Sequence, residues 1–179
     1  MPNHLLAICF DCGDTLADEA TEIKDANQVT QRADLIPGAN EVLRELKRRG
    51  YPLALVADGP LGTFHNILTQ HNLLDLFDAF AISGELGVEK PHQRMFEHAL
   101  SQLGIPQQQY DHTLMIGNNL ERDIRGANRL GMTSVWLNWS PRRAKVPADA
   151  SEVPDYTIKL PLELLDVIER LELGQFQKM

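Results

Sequence analysis

Several short stretches place reactive side chains directly after apolar runs. Asp11 follows Leu5-Leu6-Ala7-Ile8-Cys9-Phe10. Asp58-Gly59 follows Leu53-Ala54-Leu55-Val56-Ala57. Lys90 sits in the loop after a third run, and Asn118 and Asp123 follow Thr113-Leu114-Met115-Ile116-Gly117. A carboxylate at the end of a buried strand is costly unless a cation or hydrogen-bond donors meet it. In a parallel sheet such strand ends share one edge, where open α/β sheets place their chemistry. A carboxylate, an ammonium and a second carboxylate gathered there fit phosphoryl transfer. A nucleophile approaching a phosphate dianion needs magnesium and a lysine to offset the repulsion.

The elements that must position these groups follow from the apolar pattern. Continuous apolar runs bounded by polar punctuation fit strands buried on both faces. They are expected at 5–10, 53–57, 77–82, 113–117 and 133–137, with a short edge strand near Tyr156-Thr157-Ile158. Between them, apolar residues recur at helical spacing. Val42, Leu43 and Leu46 mark one helix, stopped by Gly50. Others are expected at 61–71, 92–103 and 121–130, with a last one from Pro161. Ser83-Gly84-Glu85-Leu86-Gly87 reads as a glycine-punctuated loop, and 138–154 as a long connection carrying Arg142-Arg143. Residues 17–35 read as a short loop or hairpin. Strands alternating with helices predict an α/β, three-layer Rossmann-like sandwich with a central, mainly parallel sheet of five or six strands. One domain over 1–179 is expected, with no sizeable cap.

Composition narrows the function classes. The chain has 179 residues, 43% hydrophobic and 23% charged, with a formal net charge of -8. That charge argues against nucleic acid or an anionic membrane as partner. Met1-Pro2-Asn3-His4 lacks a basic leader region, and the apolar run after it is too short for a signal peptide or a membrane span. The expected setting is cytoplasmic. Cys9 and Cys12 have the spacing of a redox or zinc pair, but no second ligand pair exists. The six histidines show no ligand spacing.

Phe10-Asp11-Cys12-Gly13-Asp14-Thr15-Leu16 resembles the first motif of the haloacid dehalogenase-like (HAD) hydrolases, usually Asp-x-Asp-Gly-Thr-Leu after an apolar strand. The resemblance implies that Asp11 is a nucleophile and a magnesium ligand, and that the backbone carbonyl of Gly13 is a second ligand. The family's second Asp is a general acid/base. Gly13 holds its position, and Asp14, one position late, is the candidate substitute. Leu53 to Asp58 resembles the second motif, with Ala57 where Thr or Ser usually binds the phosphoryl group, so Ala57, Asp58 and Gly59 are candidate substrate contacts. Val88-Glu89-Lys90-Pro91 resembles the third motif, and Lys90 is its lysine. Gly117 to Asp123 resembles the fourth, with Asn118 in place of the first Asp and Asp123 matching the second; the resemblance implies that both are magnesium ligands, Asp123 with charge and Asn118 through its neutral carbonyl oxygen.

The resemblance implies a magnesium-dependent phosphatase acting through an aspartyl-phosphate on Asp11. The altered positions support an alternative: a catalytically degraded HAD-like domain that binds a phosphorylated ligand or a protein partner. A dehalogenase needs no metal, but it encloses its small substrate under a cap that 17–35 is too short to supply. An open site suits a phosphorylated small molecule or macromolecule, covered by a partner subunit, another protein or the loop at 138–154. Glu121 and Arg122 are expected to face solvent; Arg142 and Arg143 read as a solvated basic pair, with reaching a substrate from the long loop as the alternative.

Overall fold

A computed structural model describes residues 5–174; the reading of Met1 to His4 lies outside the described residues. The first strand, β1 (Ala7–Phe10), is buried along its whole length. A short hairpin follows, β2 (Ile23–Lys24) paired antiparallel with β3 (Thr30–Arg32). Next come α1 (Ala39–Arg48), β4 (Leu53–Ala57), α2 (Leu61–Gln70) and β5 (Ala79–Ile82). Residues 83–87 are not a plain loop as expected: Ser83–Leu86 forms one helical turn, α3, ended by Gly87 at φ 70°. Then come α4 (Gln93–Gln102), β6 (Thr113–Gly117), α5 (Arg125–Arg129), β7 (Thr133–Leu137), β8 (Tyr156–Ile158) and α6 (Leu164–Glu172).

Six strands form one sheet in the order β5-β4-β1-β6-β7-β8, and every pairing is parallel. The expected sandwich is therefore observed. Alternate strand residues feed two core layers, because side chains point to opposite faces in turn. Ile8, Phe10, Leu53, Leu55, Leu114 and Ile116 face α1, α2 and α6, meeting Leu43, Ile67 and Ile168. Ala7, Cys9, Ala54, Val56, Ala79 and Ala81 face α4 and α5. These small residues let α4 lie close, so Phe96 and Met95 fill that layer with no exposure.

The chain leaves β1 for β4 and β5 on one side, then returns to β6, β7 and β8 on the other. The reversal point lies between β1 and β6. Parallel sheets leave a crevice beyond the strand ends at such a point. Asp11 and Asn118 are the residues that follow those two strands.

No helix among the described residues is long and apolar enough to cross a membrane.

Candidate active site

Asp11 is fixed by its own strand pair: its backbone N–H donates to Ile116 O at 3.0 Å. The chain then turns sharply, with Cys12 O accepting from Thr15 N, Leu16 N and Ala17 N. Thr15 Oγ1 donates back to Asp11 Oδ2 at 3.1 Å. Lys90 donates to Asp11 Oδ1 at 2.7 Å and to Val56 O at 2.8 Å. Its ammonium also lies 2.7 Å from Asp123 Oδ1. The lysine's own backbone N–H donates to Asp58 Oδ1 at 3.0 Å, which ties the end of β4 to the third loop.

Asp123 comes from a turn of π type over Leu120–Ile124, begun by Asn119. Asn119 Oδ1 caps the turn by accepting from Glu121 N and Arg122 N. Asp123 Oδ2 accepts from Asn119 N at 3.0 Å. The carboxylate lies against Gly117, where a Cβ would fall 2.2 Å from Asp123 Oδ2. A glycine at the end of β6 is therefore a packing requirement of Asp123.

Burial would lower the Lys90 ammonium, but Asp11, Asp123 and Asp58 outweigh it and hold it charged, above the ordinary lysine range. Burial, and then the charge of Asp11, push Asp123 upward, against the pull of Lys90.

These groups open on a cavity of about 510 Å³. Asp11, Gly13, Asp58, Gly59, Lys90, Asn118 and Asp123 all line it. Two sequence candidates do not. Ala57 is fully buried, and its methyl belongs to the core layer facing α1 and α2. Asp14 is fully buried at φ 54°, and its carboxylate is consumed elsewhere. It accepts from Ser140 Oγ at 2.7 Å, from Arg142 Nε at 2.9 Å and from Glu19 N at 3.1 Å, and Arg142 Nη2 makes a further close pair. Burial raises the Asp14 carboxyl, yet these donors win and hold it below its ordinary value.

Glu121 stands at the rim with 70% of its side chain exposed, in line with the sequence expectation. Arg122, expected to face solvent, is partly exposed but also lines the cavity, donating to Asp58 Oδ2 at 3.0 Å and pairing with Glu89 at 3.2 Å. Arg142-Arg143 is only partly solvated, because both guanidinium groups are drawn into ion pairs. Arg142 binds Asp14 and Asp18, and Arg143 binds Glu19 and lines the cavity. Glu19 itself was not singled out in the sequence. Its signal lies in a turn that only coordinates reveal.

A family model described as a haloacid dehalogenase-like hydrolase matches residues 19–131. The chain belongs to the HAD-like hydrolases. This HAD-like chain is 35% identical over 136 residues to a glyceraldehyde 3-phosphate phosphatase of Pyrococcus furiosus, covering 75% of this chain and 55% of the relative. It is 34% identical over 128 residues to a phosphoserine phosphatase of Thermus thermophilus, covering 72% and 49%. It thus spans about half the length of these curated relatives. Among solved structures, a HAD phosphatase from Thermococcus onnurineus superposes with a TM-score of 0.74 at 19% identity, over 92% of this chain and 98% of that one. At that identity the likeness speaks for the HAD fold alone.

Proposed function

We propose that this chain is a phosphatase that uses Asp11 as nucleophile. The observation that carries the reading is the shared ammonium: Lys90 stands 2.7 Å from both Asp11 Oδ1 and Asp123 Oδ1, at the edge where the strand order reverses. Lys90 offsets the charge of an incoming phosphoryl group and orients the attacking carboxylate. Thr15 fixes the other carboxylate oxygen, so Asp11 presents one defined face. The relatives named as phosphatases support the same chemistry.

A magnesium ion belongs to this proposal. Among the described residues no cluster of three His, Cys, Asp or Glu side chains could cage a metal. The donors that fit are hard oxygens of mixed kind: the Asp11 carboxylate, the Gly13 carbonyl and the Asn118 amide, with Asp123 behind them. Asn118 supports this reading. It is 3% exposed, and its side-chain nitrogen has no hydrogen-bond partner among the described residues. Nitrogen and oxygen of an amide interchange by a flip, so the same side chain can turn an oxygen to a cation. When bound, the ion supplies positive charge to the phosphoryl oxygens.

The substrate class is a phosphate monoester of a small molecule or a macromolecule reaching an open cavity. A cytoplasmic setting goes with the reading, as both cysteines are free. Turnover of 4-nitrophenyl phosphate with magnesium, measured for the native protein and for Asp11→Asn, tests it. Loss of at least roughly 10³-fold in the variant is expected. Equal rates would remove it. The second reading, a binding domain without turnover, is favoured by neutral Asn118 where the family has a carboxylate. An aspartyl adduct with beryllium fluoride and magnesium would count against that second reading.

A further inference from the structure

Transfer of a phosphoryl group from an alkyl ester to Asp11 is fast only when some group protonates the departing oxygen, and hydrolysis of the aspartyl-phosphate is helped when that group then takes a proton from water. The obvious candidate, Asp14, is locked away from the cavity. The remaining carboxylates on the wall are nearly all committed. Asp123 serves Lys90 and Asn119 N. Asp58 accepts from Lys90 N and Arg122. Glu22 accepts from Thr30 Oγ1 and pairs with Lys24. Glu121 has 70% of its side chain exposed and leans toward Arg125.

Glu19 is different. A Cβ built on Gly13 would fall 2.3 Å from Glu19 Oε1. The carboxylate of residue 19 therefore fills the space that a side chain at position 13 would occupy, two residues past Asp11. Its seat is built. Asp14 Oδ1 accepts from Glu19 N at 3.1 Å, which pins the start of the short 3-10 turn Glu19–Thr21. Arg143 Nη2 donates to Glu19 Oε1 and Oε2, both at 3.1 Å. Asp14, at positive φ, and Gly13, without a side chain, thus cooperate: one anchors the backbone of residue 19 and the other leaves room for its carboxylate.

We infer that Glu19 is the general acid/base of this site, delivered from six residues downstream to the space over Gly13. The inference rests on the phosphatase reading. In the first step Asp11 bonds to phosphorus as the P–O bond to the leaving group breaks, and Glu19 gives its proton to the departing oxygen. In the second step water attacks phosphorus and yields a proton to Glu19. The Asp11–phosphorus bond breaks, freeing phosphate and restoring both carboxyl groups to their starting forms.

The test compares kcat/KM for 4-nitrophenyl phosphate, whose leaving group needs no proton, with that for glycerol 2-phosphate, whose leaving group does. Glu19→Gln should lower the alkyl ester value by roughly 10² or more while the aryl ester loses far less. Because the second step also slows, phosphorylated Asp11 should accumulate, visible by intact-protein mass spectrometry after an acid quench. Gly13→Asp in a Glu19→Ala background should recover much of the alkyl activity, whereas Gly13→Asp alone should clash with Glu19. Equal losses on both esters with no accumulated phosphoprotein, or unchanged rates, would overturn the assignment and leave the phosphatase reading standing. If the native protein hydrolyses neither ester, the phosphatase reading fails and this one with it. Melting curves for each variant separate folding defects from chemical ones.

Discussion

Lys90 Nζ stands 2.7 Å from Asp123 Oδ1, and these side chains are 2% and 1% exposed. Neither charge can be removed alone without leaving the other in a low-dielectric interior. Lys90→Met should cost roughly 3–5 kcal/mol, since it strands Asp11 and Asp123 facing each other. Urea unfolding reads this directly. Adding Asp123→Asn to Lys90→Met should restore part of the loss, because the two sites share one interaction. A fully additive pair of losses would contradict it.

Asn118→Asp should strengthen magnesium binding. The substitution adds a charged oxygen to a donor set with few of them, and affinity for hard cations rises with ligand charge. Titration calorimetry with magnesium should show the dissociation constant falling by roughly tenfold or more. An unchanged constant would mean that residue 118 does not reach the ion.

Arg142→Ala should loosen the turn after β1. It removes the partly exposed guanidinium that meets fully buried Asp14, at about 1–2 kcal/mol once solvent screening of the arginine is allowed for. The acid dependence has a defined sign. Asp14 has a folded-state pKa below its ordinary 3.8. Its contribution is full above that ordinary value and fades as pH falls through the lower folded-state value. The stability gap between native protein and Asp14→Asn should therefore narrow as pH drops from 5 toward 2. A gap that widens in acid would refute this.

Both thiols should be silent in the folded protein. Burial pushes Cys9 up to about 12, and burial followed by the Asp11 charge pushes Cys12 higher still. The thiolate is the reactive form. Ellman's reagent at pH 8 should find no fast thiol in native protein and two in guanidinium chloride. A fast native thiol would show that the wall beside Asp11 opens.

The sheet was legible in the sequence because strands buried on both faces are mainly apolar: 53–57 is apolar throughout, 113–117 after Thr113, and 133–137 after Thr133-Ser134. The grouping of Asp11, Lys90 and Asp123 was legible for the same reason: each follows a run whose direction a parallel sheet dictates. What escaped depended on local twist or on distance along the chain. Arg122 was expected to face solvent, and it reaches the cavity by pairing with Asp58 from a π-type turn at Leu120–Ile124 that a regular helical reading does not contain. Arg142 meets Asp14 across 128 positions, and nothing in a single sequence pairs them. Glu19 lies over Gly13 only because of a tight turn at Asp14, whose left-handed backbone no periodicity announces.

The stretch from Ser140 to Lys145 reaches the nucleophile's neighbourhood mainly through ions: Arg142 to Asp14 and Asp18, and Arg143 to Glu19. The sheet coheres by excluding water, but this flank coheres by Coulomb attraction between partly wetted groups, which dissolved salt weakens. The sheet and this flank therefore respond differently to salt. Molar sodium chloride should slacken the fastening around residue 19 while the strands beneath it stay as they are.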